Sequence, residues 1–316
     1  MKNFLKSFPI SIFSVVMGLM GTSLATEMTQ NVFHLRFVIN RAWLGIAFFF
    51  FIIFLIIYIL KMILCFKEVK EEFYNPISLS FFSTISICII LLSQGFRTFI
   101  PKFALISIWV GSFLQIFFSF LIISQWIRQS HFEIQHMNPS WFIPIVGNFL
   151  IPVFAHQLMP VYLEWFFFSI ATLFWVILLT ILIYRLIFHH PLVEKLIPTL
   201  AILVAPPSIA AIGYFQLTGQ RNPLVLFFFC SAFFFFVLLF FLFDLFFKIK
   251  YDISWWAYIF PLSAFSIASY FMSGVWFFLK WISLSVVIII NLLSLALLII
   301  TVIKLIDGKL FNISNE

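Results

Sequence analysis

An all-α membrane protein is the fold class the sequence predicts: ten transmembrane helices paired as five helical hairpins. Three observations predict it. The 316 residues are 64% hydrophobic and only 9% charged, whereas a soluble domain runs near about 45–50% apolar and about 25% charged. The apolar residues fall in long runs, and the mean hydropathy is +1.17. Proline and glycine collect in every second run. The first two observations leave too little polar surface for a soluble enzyme, a disordered chain or a nucleic-acid binder. The isoelectric point near 9.4 does not revive the last of these. The net charge of +7 comes from 18 Lys and Arg scattered between apolar blocks.

The predicted spans are 8–25, 37–60, 77–95, 103–127, 141–157, 162–184, 196–216, 223–247, 253–274 and 276–303. Crossing a bilayer takes about 20 apolar residues at about 1.5 Å rise each. The first run has a signal-peptide look, with Lys2 and Lys6 ahead of an apolar stretch ending Ser23-Leu24-Ala25. Pro9 and the Gly18/Gly21 pair instead read as packing and kinking devices, so a retained first helix is expected. The whole of 1–316 is expected to be one transmembrane domain without a separate soluble domain.

Orientation follows from Lys and Arg in the connections. Twelve fall on the side of the N-terminus and six on the other. The excess places both termini in the cytoplasm, which needs an even number of spans.

Odd-numbered spans hold 14 of the 23 Pro and Gly residues, whereas the even spans hold only Gly45, Gly111 and Pro223. A proline inside a helix frees a carbonyl and bends the axis. In lipid, freed backbone groups need protein or water as partners. Kinked helices therefore belong inside and smooth ones outside. Pro9, Pro76, Pro144, Pro206 and Pro261 recur at steps of 67, 68, 62 and 55 residues. The expected repeat is one kinked inner helix with one straight outer helix, arranged quasi-fivefold, with the odd-numbered helices around a central pore. The predicted kinks are at Pro144, Pro152, Pro206, Pro207 and Pro261.

Intramembrane ionisable residues are functional candidates by default, and the odd spans as drawn hold no Asp, Glu, Lys or Arg. With no buried acid to bind a coupling ion, passive permeation is favoured over tight coupling. His156 is expected at the interface. His189-His190 read as a solvated helix end, and His131 and His136 around Glu133 read as a loop rather than a metal site. No cofactor is expected. Cys65, Cys88 and Cys230 read as packing residues without disulfide or metal spacing. Lys67-Glu68-Val69-Lys70-Glu71-Glu72 reads as a solvated, internally paired helix face. Asp244 is expected to snorkel or to pair with Lys248. Asn312-Ile313-Ser314 matches a glycosylation triplet on the side where it has no meaning. Ser107, Gly111, Gln115 and Ser119 share one face of span 4, fit either for internal packing or for a subunit contact.

Several short motifs, in order along the chain, carry a resemblance. Trp255-Trp256-Ala257-Tyr258-Ile259-Phe260-Pro261 resembles the ninth-helix signature of the tellurite-resistance/dicarboxylate transporter family. That family includes bacterial TehA proteins, the yeast malate permease and the plant guard-cell slow anion channels. Phe8-Pro9 with Met17-Gly18-Leu19, Glu68 to Pro76, Asn138 to Pro144, Leu203 to Pro207 and Lys304 to Phe311 are similar to its other signatures, with Asn75 in place of the usual His. The resemblance implies a homotrimer in a bilayer, anion permeation, and a helix-9 phenylalanine, here Phe260, plugging the pore of each protomer.

The combined reading is an anion channel or permease of a bacterial inner membrane, not an enzyme. Small inorganic or organic anions would pass passively through a neutral pore occluded by Phe260. The rival is a coupled exporter of C4-dicarboxylates or tellurite-type oxyanions, and a third reading is a membrane scaffold or sensor. Bilayer currents separate the three.

Overall fold

The computed structural model describes residues 2–246, 249–307 and 310, and among them there is no strand. After a short α1 (Lys2–Ser7), the chain runs through α2 (Phe13–Val32), α3 (Ile39–Leu64) and a second short helix, α4 (Phe66–Tyr74). Then come α5 (Thr84–Phe96), α6 (Pro101–Arg128), α7 (Ile143–Phe154) and α8 (Val161–Phe188). The chain closes with α9 (Ala205–Thr218), α10 (Pro223–Phe241), the single turn α11 (Phe243–Phe246), α12 (Ile259–Met272) and α13 (Leu279–Ile306). Among the described residues, eight helical segments are long and apolar enough to cross a membrane, and Pro139–Phe154 is a shorter apolar helix. The protein is a multi-pass membrane protein.

The helices divide into two classes. In the most apolar windows of Ile10–Val32, Leu79–Phe96 and Glu194–Thr218, 89%, 72% and 89% of residues are buried, against 33–39% in α3, α6, α8, α10 and α13. Residues 137–152 are buried without a break. The buried helices are therefore α2, α5, α7, α9 and α12. They pack as a closed circuit, α2 on α5, α5 on α7, α7 on α9, α9 on α12 and α12 on α2. Each also packs against the peripheral helix that follows it in the chain. The peripheral helices turn aliphatic and aromatic side chains outward, as a lipid-facing helix must.

Every buried helix starts with a 3-10 segment: Ile10–Ile12, Leu79–Ser83, Pro139–Phe142, Glu194–Val204 and Ile253–Tyr258. Among the described residues, no peripheral helix has one. A 3-10 stretch is tighter than an α-helix and commonly occurs at its termini. The prolines sit at the changeover. Pro144, Pro206, Pro207 and Pro261 lie in the first α-turn, where a missing N–H is tolerated because the first donors lack intrahelical partners. Pro152 alone of the five lies inside an α-helix.

The structure moves some boundaries. Helix α2 runs on to Val32 and so includes Glu27, which the sequence reading left in a loop. The helix survives its polar end because Gln30 Nε2 donates to Phe37 O at 2.6 Å and Thr29 Oγ1 donates to Ala25 O at 2.9 Å. Lys61 and Arg185, assigned to connections from sequence, lie within α3 and α8 and are buried. Lys248, Lys309 and the Asn312–Ser314 triplet fall outside the described residues, as does the expected pairing of Asp244.

Candidate functional site

The buried circuit encloses a cavity of about 40 Å³. All five buried helices line it, with Leu24 of α2, Leu91 of α5, Leu150 of α7, Ile212 of α9, and Phe260 and Ala264 of α12. The exposed lining is apolar. Phe260 is 5% exposed and, among the described residues, makes no ring-on-ring contact. Five residues on, Phe265 does the opposite: it stacks on Phe236 at 4.0 Å between ring centroids and on Phe229 at 6.3 Å.

Glycine sets the spacing beside Phe260. A Cβ at Gly21 would stand 3.0 Å from Ser263 Oγ and 3.3 Å from the Phe260 Cα. One at Gly18 would stand 2.8 Å from the Trp256 ring. Helix α2 can thus approach α12 closely enough to hold the Phe260 backbone against it. Hydroxyls near the cavity turn back to backbone acceptors. Ser263 Oγ donates to Ile259 O at 2.8 Å, Ser208 Oγ to Val204 O at 2.7 Å and Thr22 Oγ1 to Gly18 O at 3.2 Å.

The small-residue face of α6 proves to be internal. Gln115 accepts from Ser86 Oγ at 2.7 Å and donates to Pro144 O at 2.7 Å. Ser119 Oγ also donates to Pro144 O, at 3.0 Å, and accepts from Asn148 Nδ2 at 3.0 Å. Gly147 is needed because any side chain there would collide with the Gln115 amide. This network pins α7 to α5 and α6 at its first turn. The subunit-contact reading of that face is corrected: its residues are consumed within the protomer.

The sequence of residues 7–302 matches the SLAC1 family, described as voltage-dependent anion channel. This protein belongs to the SLAC1 family. A Tellurite resistance protein TehA homolog from Haemophilus influenzae is 25% identical, with 98% of this chain aligned to 95% of that protein. An uncharacterized transporter from Methanocaldococcus jannaschii is 25% identical over 99% of each chain. The S-type anion channel SLAH2 of Arabidopsis thaliana is 29% identical over 83% of this chain, which spans 52% of the plant protein. The motif resemblance read from Phe260-Pro261 and its companions thus identified the family.

In this SLAC1-family protein, charge gathers at the two ends of the bundle. At the end where the buried helices begin, Lys61 Nζ donates to Phe8 O at 2.7 Å and pairs with Glu72 at 2.9 Å. Glu72 also accepts from the Ile10 N–H at 3.2 Å and from Tyr58 OH at 2.9 Å. The pair brackets Pro9 and satisfies the backbone on both sides of it. Glu68 reaches Lys6 at 2.8 Å, which holds its carboxyl below the usual carboxylate range and the Lys6 ammonium above its own. Lys67 and Glu71, 3.9 Å apart, and the exposed Lys70 over the Tyr74 ring behave as the solvated face expected from sequence. Alternation within α4 missed this, because two of its glutamates pair with α1 and α3 rather than along the helix.

At the opposite end Arg97 Nη2 donates to His156 O at 3.5 Å, and His156 Nδ1 lies 3.1 Å from Glu164, which is 1% exposed. His156 thus fastens the end of α7 to the start of α8. Arg221 donates to Phe271 O at 3.3 Å and lies 5.0 Å over its ring. Glu27 is half-buried in this half of α2, about 9 Å along the axis from Gly21 at about 1.5 Å per residue. The expectation that the odd helices lack an acid is therefore corrected. His131 Nε2 lies 3.1 Å from Tyr74 O, and His136 Nδ1 accepts from the Glu133 N–H at 3.0 Å. His189 packs its ring on Tyr184. Cys65 and Cys88 are buried, but Cys230 is exposed on the outer face of α10 and is not a packing residue of the protomer.

Proposed function

We propose that the cavity is the closed waist of an anion pathway along the axis of the five buried helices, with Phe260 as its plug. The observation that carries this reading is the lining: each buried helix contributes to one small apolar cavity, and Phe260 stands in it unstacked, with Phe154 as the other ring of the lining. An apolar constriction blocks ions by excluding their water. Without a fixed charge in the lining, selection among anions would follow dehydration cost, favouring large, weakly hydrated anions. Permeation would be passive.

The wider architecture belongs to the same reading. Ten crossings form five hairpins with quasi-fivefold order, in a single transmembrane domain. The repeated 3-10 lead-ins with Pro144, Pro206, Pro207 and Pro261 at the changeover support the repeat, and Pro152 adds a bend inside α7. The Lys and Arg asymmetry supports both termini in the cytoplasm and an inner-membrane location. Assembly as a homotrimer extends the family resemblance.

Purified protein in proteoliposomes tests this. Phe260→Ala is expected to pass nitrate and chloride much faster than the parent, with flux that follows the anion gradient and ignores imposed proton and sodium gradients. Flux driven by either cation gradient would establish the coupled exporter instead. A Phe260→Ala variant that is folded yet no more permeable than the parent overturns the plug.

A further inference from the structure

Helix α8 presents one stripe to the protein interior: Glu164, Phe167, Phe168, Ala171, Trp175, Leu178, Leu182 and Arg185. Its two ends are ionisable, and they are treated differently. Glu164 has His156 as a partner. Arg185 is 4% exposed, and its Nε and Nη1 are enclosed without any hydrogen-bond acceptor. No carboxylate pairs with it among the described residues. It is also the only ionisable side chain among them with enclosed nitrogens left unpartnered. Lys61, equally buried, has both a carboxylate and a carbonyl.

A guanidinium keeps its charge at any physiological pH, so it cannot escape burial by losing a proton. Enclosing it without an acceptor is costly, and a hydrogen-bonded anion relieves that cost. Helix α8 packs against Pro139–Phe142 and α9, so the stripe that carries Arg185 faces the buried circuit rather than lipid. The residue stands at the end where the buried helices begin, one or two turns from the water-exposed His190.

We infer that Arg185 is an anion-binding residue, holding an oxyanion or halide beside the pathway mouth, outside the apolar waist. The ligand chemistry is a compact anion with acceptor oxygens or a halide surface for the guanidinium fork. Free anion from solution and the phosphate of a membrane lipid both supply it. The site stands apart from the plug: Arg185 lies on a peripheral helix and lines none of the waist.

The test compares the parent with Arg185→Gln and Arg185→Lys, each purified as the full chain in detergent. Melting temperature is followed as sodium nitrate replaces sodium gluconate at constant ionic strength, since a ligand that binds only the folded state raises it with concentration. Bound phospholipid is counted in parallel by native mass spectrometry. The parent is expected to gain stability with nitrate, Arg185→Lys to gain less, and Arg185→Gln to gain nothing. Alternatively the parent retains phospholipid that Arg185→Gln loses, which assigns the same site to a lipid phosphate. Should Arg185→Gln respond to nitrate as the parent does and carry the same lipid, the inference is overturned. Should Arg185→Gln fail to fold, nitrate dependence in Arg185→Lys decides: a response equal to the parent's with unchanged lipid overturns it as well. Because the readouts are binding, they stand even if the protein passes no anion in proteoliposomes, and loss of the plug leaves them unchanged.

Discussion

The waist of the bundle and the collar where its buried helices begin are built on opposite principles. The waist holds no charge, and hydroxyls beside it bond to carbonyls of their own helices. The collar ties Lys61, Glu72, Tyr58 and two backbone groups around Pro9 into one joint. A bilayer interior makes unpaired polar groups expensive, so polar stabilisation is placed where partners can be complete. What remains in the middle is shape: glycines that bring α2 against α12, and two rings, Phe260 and Phe154, among mainly aliphatic side chains. Such a waist has nothing with which to hold an ion, while the collar holds the fold.

The largest effect that can break this comparison is at Phe260. Phe260→Ala should raise anion flux on the order of tenfold or more, the factor given by about 1.4 kcal/mol removed from a barrier. Phe265, on the same helix but stacked on Phe236, is the control. Phe265→Ala should cost about 3–5 kcal/mol of stability through the cavity it leaves, and flux per folded protein should stay at the parent level. Equal permeability gains in both variants would mean that the waist owes nothing to the placement of its ring. Phe260→Leu should fall between parent and Phe260→Ala, because Leu fills part of the same volume.

The collar is tested by removing one member of its buried pair. Lys61→Met strands Glu72, and breaking a buried pair on one side costs about 3–5 kcal/mol. Glu72 keeps some solvent contact, so the lower part of that range is expected. The paired change Lys61→Met with Glu72→Leu should recover much of the loss, though not the cap on the Ile10 N–H. Thermal melting in one detergent checks both. A double variant no more stable than the single one would show that the joint works through its backbone bonds rather than through charge.

A smaller effect is expected at the contact between α2 and α12. Gly21→Ala places a methyl 3.0 Å from Ser263 Oγ and 3.3 Å from the Phe260 Cα. Overpacking of this kind costs about 1–3 kcal/mol. Because the strain falls on the Phe260 backbone, flux should change as melting temperature falls, whereas Gly45→Ala, with open space around it inside α3, should leave flux at the parent level and stability no lower than the parent's. A Gly21→Ala variant with parental flux and stability would remove glycine from the account of the waist.

These contrasts also mark how far the sequence could be read. The alternation of Pro and Gly separated buried from peripheral helices, because the prolines mark the 3-10 lead-ins of the buried helices and glycines such as Gly21 and Gly147 allow their close packing. Family motifs singled out Phe260, whereas composition alone could not distinguish it from Phe265. What sequence spacing missed was long-range partnership. Glu72 looks like one more member of a charged surface helix until Lys61 and Ile10 are brought to it. Glu27 looks like a loop residue until Gln30 ties the last turn of α2 to Phe37 O in the connection beyond it. The face containing Gln115 looks ready for another subunit until Pro144 and Ser86 occupy it. A local pattern gives the burial of a stripe, but not the partner of a polar atom on another element, whether 11 residues away, as for Lys61 and Glu72, or 62, as for Ile10 and Glu72.

The smallest expected effect lies in the outer part of the collar, where Lys6 and Glu68 meet at 2.8 Å with both side chains in contact with solvent. The hydrogen bond from Lys6 lowers the Glu68 carboxyl below its usual 4.5. Its contribution to stability is therefore present above that usual value and is lost as pH falls through the lowered one. The same bond raises Lys6 above its usual 10.5. That contribution is present below the usual value and is lost as pH rises through the raised one. The tie should thus hold across the neutral range and fail only at its acid and alkaline edges. Glu68→Gln removes both edges from the melting-temperature profile. Salt offers the sharper contrast, since exposed charges are screened and buried pairs much less so. Raising ionic strength should erase the small difference between parent and Glu68→Gln while leaving the larger deficit of Lys61→Met in place. If salt erases both deficits alike, Lys61 and Glu72 are held no more tightly than a surface pair, and the division between a charged collar and a neutral waist loses its energetic meaning.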